Sequence, residues 1–326
     1  MPIRFQAARR RALLALTLAL ALAGTGAAQA EQRVIRIVVP YGTGAVQDTI
    51  ARAIGDELGQ ALNASIVVEN RAGAGGTVGT AQVARAKPDG NTLVLAAASH
   101  HIAGYLYKNL SYDPYKDFTG VAYVGNTGYI ILASAALNAR NTAEFIQAVR
   151  AKPGAYDYAS AGNGSASHLG MASFLTAAGA QMQHIPMKST GDAVTELLAG
   201  RVQAVTAATI GVTAYRNDPR VTFLAYTGKT RSRFAPDLPT AAESGLPGYA
   251  FDSWLGLLAP AGIAAADRDQ INAAVNKVLA DPKVQARLAA LGVEAEAKSA
   301  AQFQDLLKAD WAAAEKLVAA SGARVE

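Results

Sequence analysis

Residues 34–98 alternate between short β-branched runs and stretches with helical spacing, which limits the possible folds more than any other feature of the chain. Val34–Val39 is β-branched and stops at Pro40. Gln47–Gln60 places Ile50, Ala53, Ile54, Glu57 and Leu58 at helical intervals. Ser65–Val68 reads as a second strand, Thr77–Arg85 as a helix closing at Pro88-Asp89-Gly90, and Thr92–Ala98 as a third strand. A β-α-β-α-β order calls for a parallel sheet with right-handed crossovers.

The middle departs from that rhythm. Val121–Val124 and Tyr129–Ala133 read as strands with no helix between them. A second βα series follows Thr142–Ala151, with strands near Tyr156–Ser160, Gln183–Ile185, Ala204–Thr206 and Phe223–Tyr226. Phe251–Leu258 is strand-like, and the three last stretches are helical without a sheet of their own. The simplest packing sends those helices back onto the first series. The chain then crosses between two domains twice, near Thr127–Ala133 and near Tyr249–Trp254. At 326 residues two domains are the default.

Charge narrows the function. The net charge is +5, but Arg4, Arg9, Arg10 and Arg11 supply four of those charges with no acid before residue 31. The remainder is close to neutral, so nothing supports a nucleic-acid footprint. That basic stretch precedes an apolar run, Ala12–Ala23, and ends in Ala28-Gln29-Ala30, the pattern of a secretory signal cleaved after Ala30. The chain has no cysteine, which removes disulfides, thiolate chemistry and lipid attachment through cysteine.

Three glycine-rich turns follow predicted strands. Pro40-Tyr41-Gly42-Thr43-Gly44-Ala45 opens onto a helix start, whose free N–H groups attract anions, although ordinary βα turns look the same. Ala72–Gly79 looks like a dinucleotide fingerprint. However, Val78 stands where the third glycine belongs, and the next strand ends in Ala98-Ser99 with no acid for a ribose. Ser160–His168 gathers N–H groups and serine hydroxyls suited to a carboxylate. It lacks the flanking glycines of a nucleophile elbow, yet Ser165 with His168 keeps an exported serine hydrolase as an alternative. His100, His101, His168 and His184 show no metal-binding spacing, so neither metal nor cofactor is expected. Asp48, in the first turn of a helix, reads as dipole compensation and capping, and is also the acid that could meet a protonated amine.

Longer motifs point to a family. They include Val38-Val39-Pro40-Tyr41, Asp48-x-x-Ala51-Arg52, Val67–Gly76 and Lys87-Pro88-Asp89-Gly90-x-Thr92-Leu93. Later come Tyr158-Ala159-Ser160-x-Gly162-x-Gly164-Ser165, His184-Ile185-Pro186-x-Lys188, Pro239-Thr240-x-x-Glu243-Ser244-Gly245-Leu246-Pro247-Gly248 and Trp254-x-Gly256-Leu257-x-Ala259-Pro260. Collinear over nearly all of residues 31–326, these stretches resemble the Bug family, the substrate receptors of tripartite tricarboxylate transporters.

The resemblance implies an α/β, two-domain type II periplasmic-binding-protein fold that closes like a flytrap. Residues 1–30 would be the signal peptide, 31–128 plus 254–326 domain 1, and 129–253 domain 2. It implies a monomeric periplasmic receptor, not an enzyme, that delivers a small carboxylate to membrane transporter subunits. An acidic amino acid, such as aspartate or glutamate, and a C4–C6 di- or tricarboxylate are the expected ligands. A sensor subunit that presents ligand to a membrane signalling protein is the second reading. Carried over by motif, the ligand-facing residues are Tyr41, Thr43, Gly44, Ala45, Ser99 and His100 in domain 1, with Asp48 for an amine. Domain 2 contributes Gly162, Gly164, Ser165, Ala166 and Ser167, with Thr209 and the Lys188–Gly191 loop in reserve. The chain departs from the family at Thr43, where proline is common, and at Gln203, where an acid is common.

Overall fold

The structure is a computed structural model that describes residues 33–321. The expected signal peptide and its cleavage site lie outside the described residues.

Strand β1 (Arg33–Val39) leads to helix α1 (Val46–Leu62), strand β2 (Ala64–Asn70), helix α2 (Thr77–Ala84) and strand β3 (Thr92–Ala97). β1 and β3 pair in parallel, as the alternation predicts. Their inward side chains Ile35, Ile37, Val39, Leu93 and Leu95 are fully buried against Ile50, Ile54 and Leu58 of α1. Each such side chain contributes about 1.5–3 kcal/mol of burial free energy.

A helix that the sequence reading did not anticipate follows: α3 (Ser99–Leu106). His100 and His101 therefore stand in the first turn of a helix that begins just past the end of β3. Next comes β4 (Phe118–Ser134), one strand of 17 residues where two were expected. Gly125–Gly128 falls between the two expected strands, but bulges at Gly120/Ala122 and Tyr123/Gly125 absorb the irregularity and the ladder continues. Glycine is needed at 128 because a Cβ there would fall 1.8 Å from the Tyr226 hydroxyl.

The second series runs α4 (Thr142–Ala151), β5 (Asp157–Ser160), α5 (Ala166–Ala177), β6 (Gln183–Pro186), α6 (Thr190–Leu198), β7 (Ala204–Ala208), α7 (Thr209–Val212) and β8 (Val221–Tyr226). β9 (Asp252–Pro260) then returns, followed by α8 (Ala265–Leu279), α9 (Pro282–Ala290), the short β10 (Glu294–Ala295) and α10 (Ala300–Ser321).

The strands join in the order β2-β1-β3-β9-β4-β7-β5-β6, with β8 and β10 also on β4. β4 has two roles. Phe118–Gly128 pairs with β9, Tyr129–Ala133 with β7 and Ile130–Ser134 with β8. The last rung between β4 and β9 is Gly128 to Asp252. The chain thus passes between the two strand systems at β4 and at the start of β9. Helix α10 packs along α3 and α5 together: Ala314 and Val318 join Ile102 and Leu106 of α3 and Leu169 of α5 in one buried cluster.

Candidate functional site

Three helices begin around one cleft, and their starts differ in how they are capped. α1 is preceded by Ala45 in an extended conformation (φ −62°, ψ 157°), which has no side chain to cap it. α3 is preceded by Ala98, which also offers none. The first N–H groups of a helix lack intrahelical acceptors, so both starts present donors and the positive end of a dipole. α5 is capped in the usual way, its Ser165 Oγ accepting from the His168 N–H at 3.2 Å.

The turn before α1 is braced from within. Asp48 is buried, accepting from the Gly44 N–H at 2.8 Å and from Arg52 Nε at 2.9 Å. Burial alone would raise its carboxyl, but the Gly44 amide, Arg52 and Asn70 together hold it below the ordinary carboxylate range. Asn70 also donates to the Tyr41 carbonyl at 3.1 Å. The Tyr41 hydroxyl meets Ser99 Oγ at 2.9 Å and ties the first turn to the start of α3.

On the facing wall, Ser165 Oγ donates to the Gly162 carbonyl at 2.7 Å, and Ser167 Oγ accepts from the Ala161 N–H at 2.9 Å. The Gly164 N–H donates to His168 Nδ1 at 3.1 Å. His168 stacks on His184 with ring centres 3.9 Å apart, and His184 Nε2 lies 2.6 Å from Ser160 Oγ. Burial, then the neighbouring His184, depresses His168 to about 4, so it is neutral near pH 7. The Ser165 hydroxyl thus donates to Gly162 and the His168 ring accepts from Gly164; the hydroxyl meets only the backbone N–H of His168, and not its ring as a nucleophile would meet its base.

The two walls enclose a cleft of about 460 Å³. They meet where Gly164 approaches Leu106 of α3; a Cβ on Gly164 would come within 2.6 Å of Leu106 Cδ1, and its φ of +74° also demands glycine. No Asp, Glu, Lys, Arg or His is among the described residues lining this cleft.

Residues 50–322 match the Tripartite tricarboxylate transporter family receptor, TctC. The chain belongs to that family. The receptor is 33% identical to the periplasmic binding protein BugD, with a TM-score of 0.73 over 90% of this chain and 99% of that one. It is 31% identical to MatC from Rhodopseudomonas palustris, solved with bound malate, with a TM-score of 0.72 over 88% of this chain and 99% of that one. An R. palustris protein solved with adipate is 27% identical, with a TM-score of 0.77 over 91% of this chain and all of that one. The architecture is the two-domain flytrap of periplasmic binding proteins.

Among the residues singled out in the receptor's sequence, Tyr41, Ala45, Ser99, Gly164, Ser165 and Ala166 line the cleft. Thr43, Gly44 and Gly162 belong to the same turns but are not in the lining. Asp48, His100 and Ser167 are buried behind it. Asp48 is engaged as a brace and Ser167 holds the Ala161 amide. His100 directs Nε2 at the Pro114 carbonyl at 2.7 Å, its basicity pushed down to about 3 by burial and by His101. Thr209 is also buried, donating to the Gly128 carbonyl at 3.0 Å where the chain crosses. In the reserve loop, Ser189 caps α6.

Asn163, within the Ser160–His168 turn, also lines the cleft, and the motifs did not reveal Gln47, Leu106, Tyr107, Tyr129 and Phe251, which line it too. Tyr129 and Phe251 lie within the two crossings read from the sequence, and that position was the available signal. Leu106 and Tyr107 sit at the end of the unanticipated α3.

Proposed function

We propose that this receptor binds a small carboxylate in the cleft between Ala45, Ser99 and Ala166, and hands it to the membrane subunits of a tripartite transporter. One observation carries the reading. Two helices start at the cleft behind alanine caps, in a lining that holds no charged side chain. Unclaimed amides at helix starts suit an anion, and no lysine or arginine is needed. The start of α5 adds a third dipole from the facing wall. Micromolar affinity needs about −8 kcal/mol, more than the dipoles provide in water. Enclosure between the walls lowers the local dielectric and strengthens each hydrogen bond. Malate in MatC and adipate in the R. palustris protein support the same class of ligand.

In this reading the signal is removed after Ala30 and the receptor acts in the periplasm without catalysing a reaction. Residues 31–128 with 254–326 form one lobe, and 129–253 the other. Thr43, Gly44 and Gly162 shape the turns, while Tyr41, Ala45, Ser99, Gly164, Ser165 and Ala166 meet the ligand.

The test is thermal unfolding of residues 31–326, refolded from denaturant to remove carried-over solute, against acids and neutral controls. A ligand at about 100 times its Kd adds about 2.7 kcal/mol of stability, which is readily seen. A shift with carboxylates supports the reading. A shift with leucine or a sugar and with no acid overturns it.

A further inference from the structure

The cleft has a second property besides its free amides: its walls are aromatic. Tyr41, Tyr107, Tyr129 and Phe251 line it, with Ile102 and Leu106 beside them. Tyr129 comes from β4 and Phe251 immediately precedes β9, and their rings stand 5.4 Å apart at 58°, forming a corner. The corner is fixed by a buried residue, Thr227. Its Oγ1 accepts from the Tyr129 N–H at 3.0 Å and its carbonyl from the Phe251 N–H at 2.7 Å.

We infer that the ligand is an aromatic carboxylate, its ring docked in the Tyr129–Phe251 corner and its carboxylate at the helix starts. This rests on the carboxylate reading above. Rings at such an angle offer one face and one edge, the arrangement in which a third ring packs offset or edge-on. The positive ends of three helices point into the same space and disfavour an ammonium group. Asp48, the acid nearest the first turn, is buried and spends its oxygens on Gly44 and Arg52. At the corner itself the Phe251 ring and the face of Tyr129 offer no hydrogen-bond partner, so an ammonium or hydroxyl group lodged there would go unmatched.

Calorimetric titration of the refolded receptor with matched pairs tests this. Benzoate is set against hexanoate, and benzene-1,4-dicarboxylate against adipate, with aspartate as the ammonium-bearing acid. The tightest ligand of the panel is expected to carry the ring, at least tenfold ahead of its chain partner and further ahead of aspartate. Phe251→Leu and Tyr107→Leu, which keep apolar bulk, are each expected to weaken that ligand about tenfold and to weaken adipate less. Tightest binding by adipate, hexanoate or aspartate overturns the aromatic assignment and leaves the carboxylate reading standing. Equal losses for ring and chain ligands in both variants also overturn it. No binding by any acid overturns both.

Discussion

The two faces of the β4–β9 crossing make a sharp contrast. In front, Tyr129, Phe251 and Ser253 border the cleft proposed for the ligand, whose described lining holds no charged side chain. Behind, Asn126, Asp252 and Trp254 border a second cavity of about 720 Å³, which also takes in Lys229, Glu296, Lys298 and Asp310. Neighbouring positions of one strand point to opposite faces, so the stretch Phe251–Trp254 divides two chemistries between two cavities. Phe251 alone of the four borders both. An acid adjacent to Phe251 is tolerable beside a carboxylate site only because it faces away. At about 4 Å and an effective dielectric near 20, two like charges repel by about 4 kcal/mol, enough to abolish micromolar binding.

The largest expected effect comes from putting a charge on the front. Ala45→Asp would supply the missing cap of α1 and stabilise the fold by about 1 kcal/mol, since Ala45 already has an extended backbone. It would also occupy the amides meant for the ligand and add repulsion, lowering carboxylate affinity at least a hundredfold. The melting temperature and the affinity should therefore move in opposite directions. Retained affinity would remove the helix starts from the site.

An intermediate effect comes from acid. His168 and His100 are held neutral in the fold, at about 4 and about 3, against an ordinary value of about 6.5. As pH falls from about 6.5 towards 4, the unfolded chain takes up protons that the native chain refuses, and stability drops through that window. Affinity should hold through that window and fall only below about pH 4, where His168 itself is protonated and can no longer accept the Gly164 N–H. Melting curves at pH 7, 5.5 and 4.5 check the sign, and an unchanged midpoint would contradict it.

The smallest effect belongs to the back. Burial, with Asp310 and Glu294 nearby, pushes the Asp252 carboxyl up, while Lys229 opposes the shift. Its charged form therefore costs the native state stability at neutral pH. Asp252→Asn should raise the melting temperature slightly and change ligand affinity by less than twofold. A large loss of affinity would erase the distinction between the two faces.

Most of the fold could be read from the sequence because its elements announce themselves by period and punctuation. Ile50, Ile54 and Leu58 mark the buried face of α1, and Pro40 and Pro88 mark where elements stop. α3 escaped because Ser99–Leu106 is short, holds two adjacent histidines and a glycine, and draws its stability from packing on α10. β4 was divided because glycine inside a strand reads as a break, whereas here Gly128 makes room for Tyr226. The turns of the site were legible as glycine-rich strand ends. Their facing was not: Asp48 and Ala45 lie three residues apart, and only the folded helix start shows that one is braced inside while the other borders the cleft. Tyr107 and Phe251 come from distant parts of the chain, so no local pattern joins them.

Helix α10 acts on the cleft from outside it. None of its described residues lines the cleft, yet Ala314 and Val318 rest on α3 and α5 at once. Two small contacts remote from any ligand therefore brace one wall against the other, and a bulkier side chain at Ala314 would reach the cleft by leverage alone.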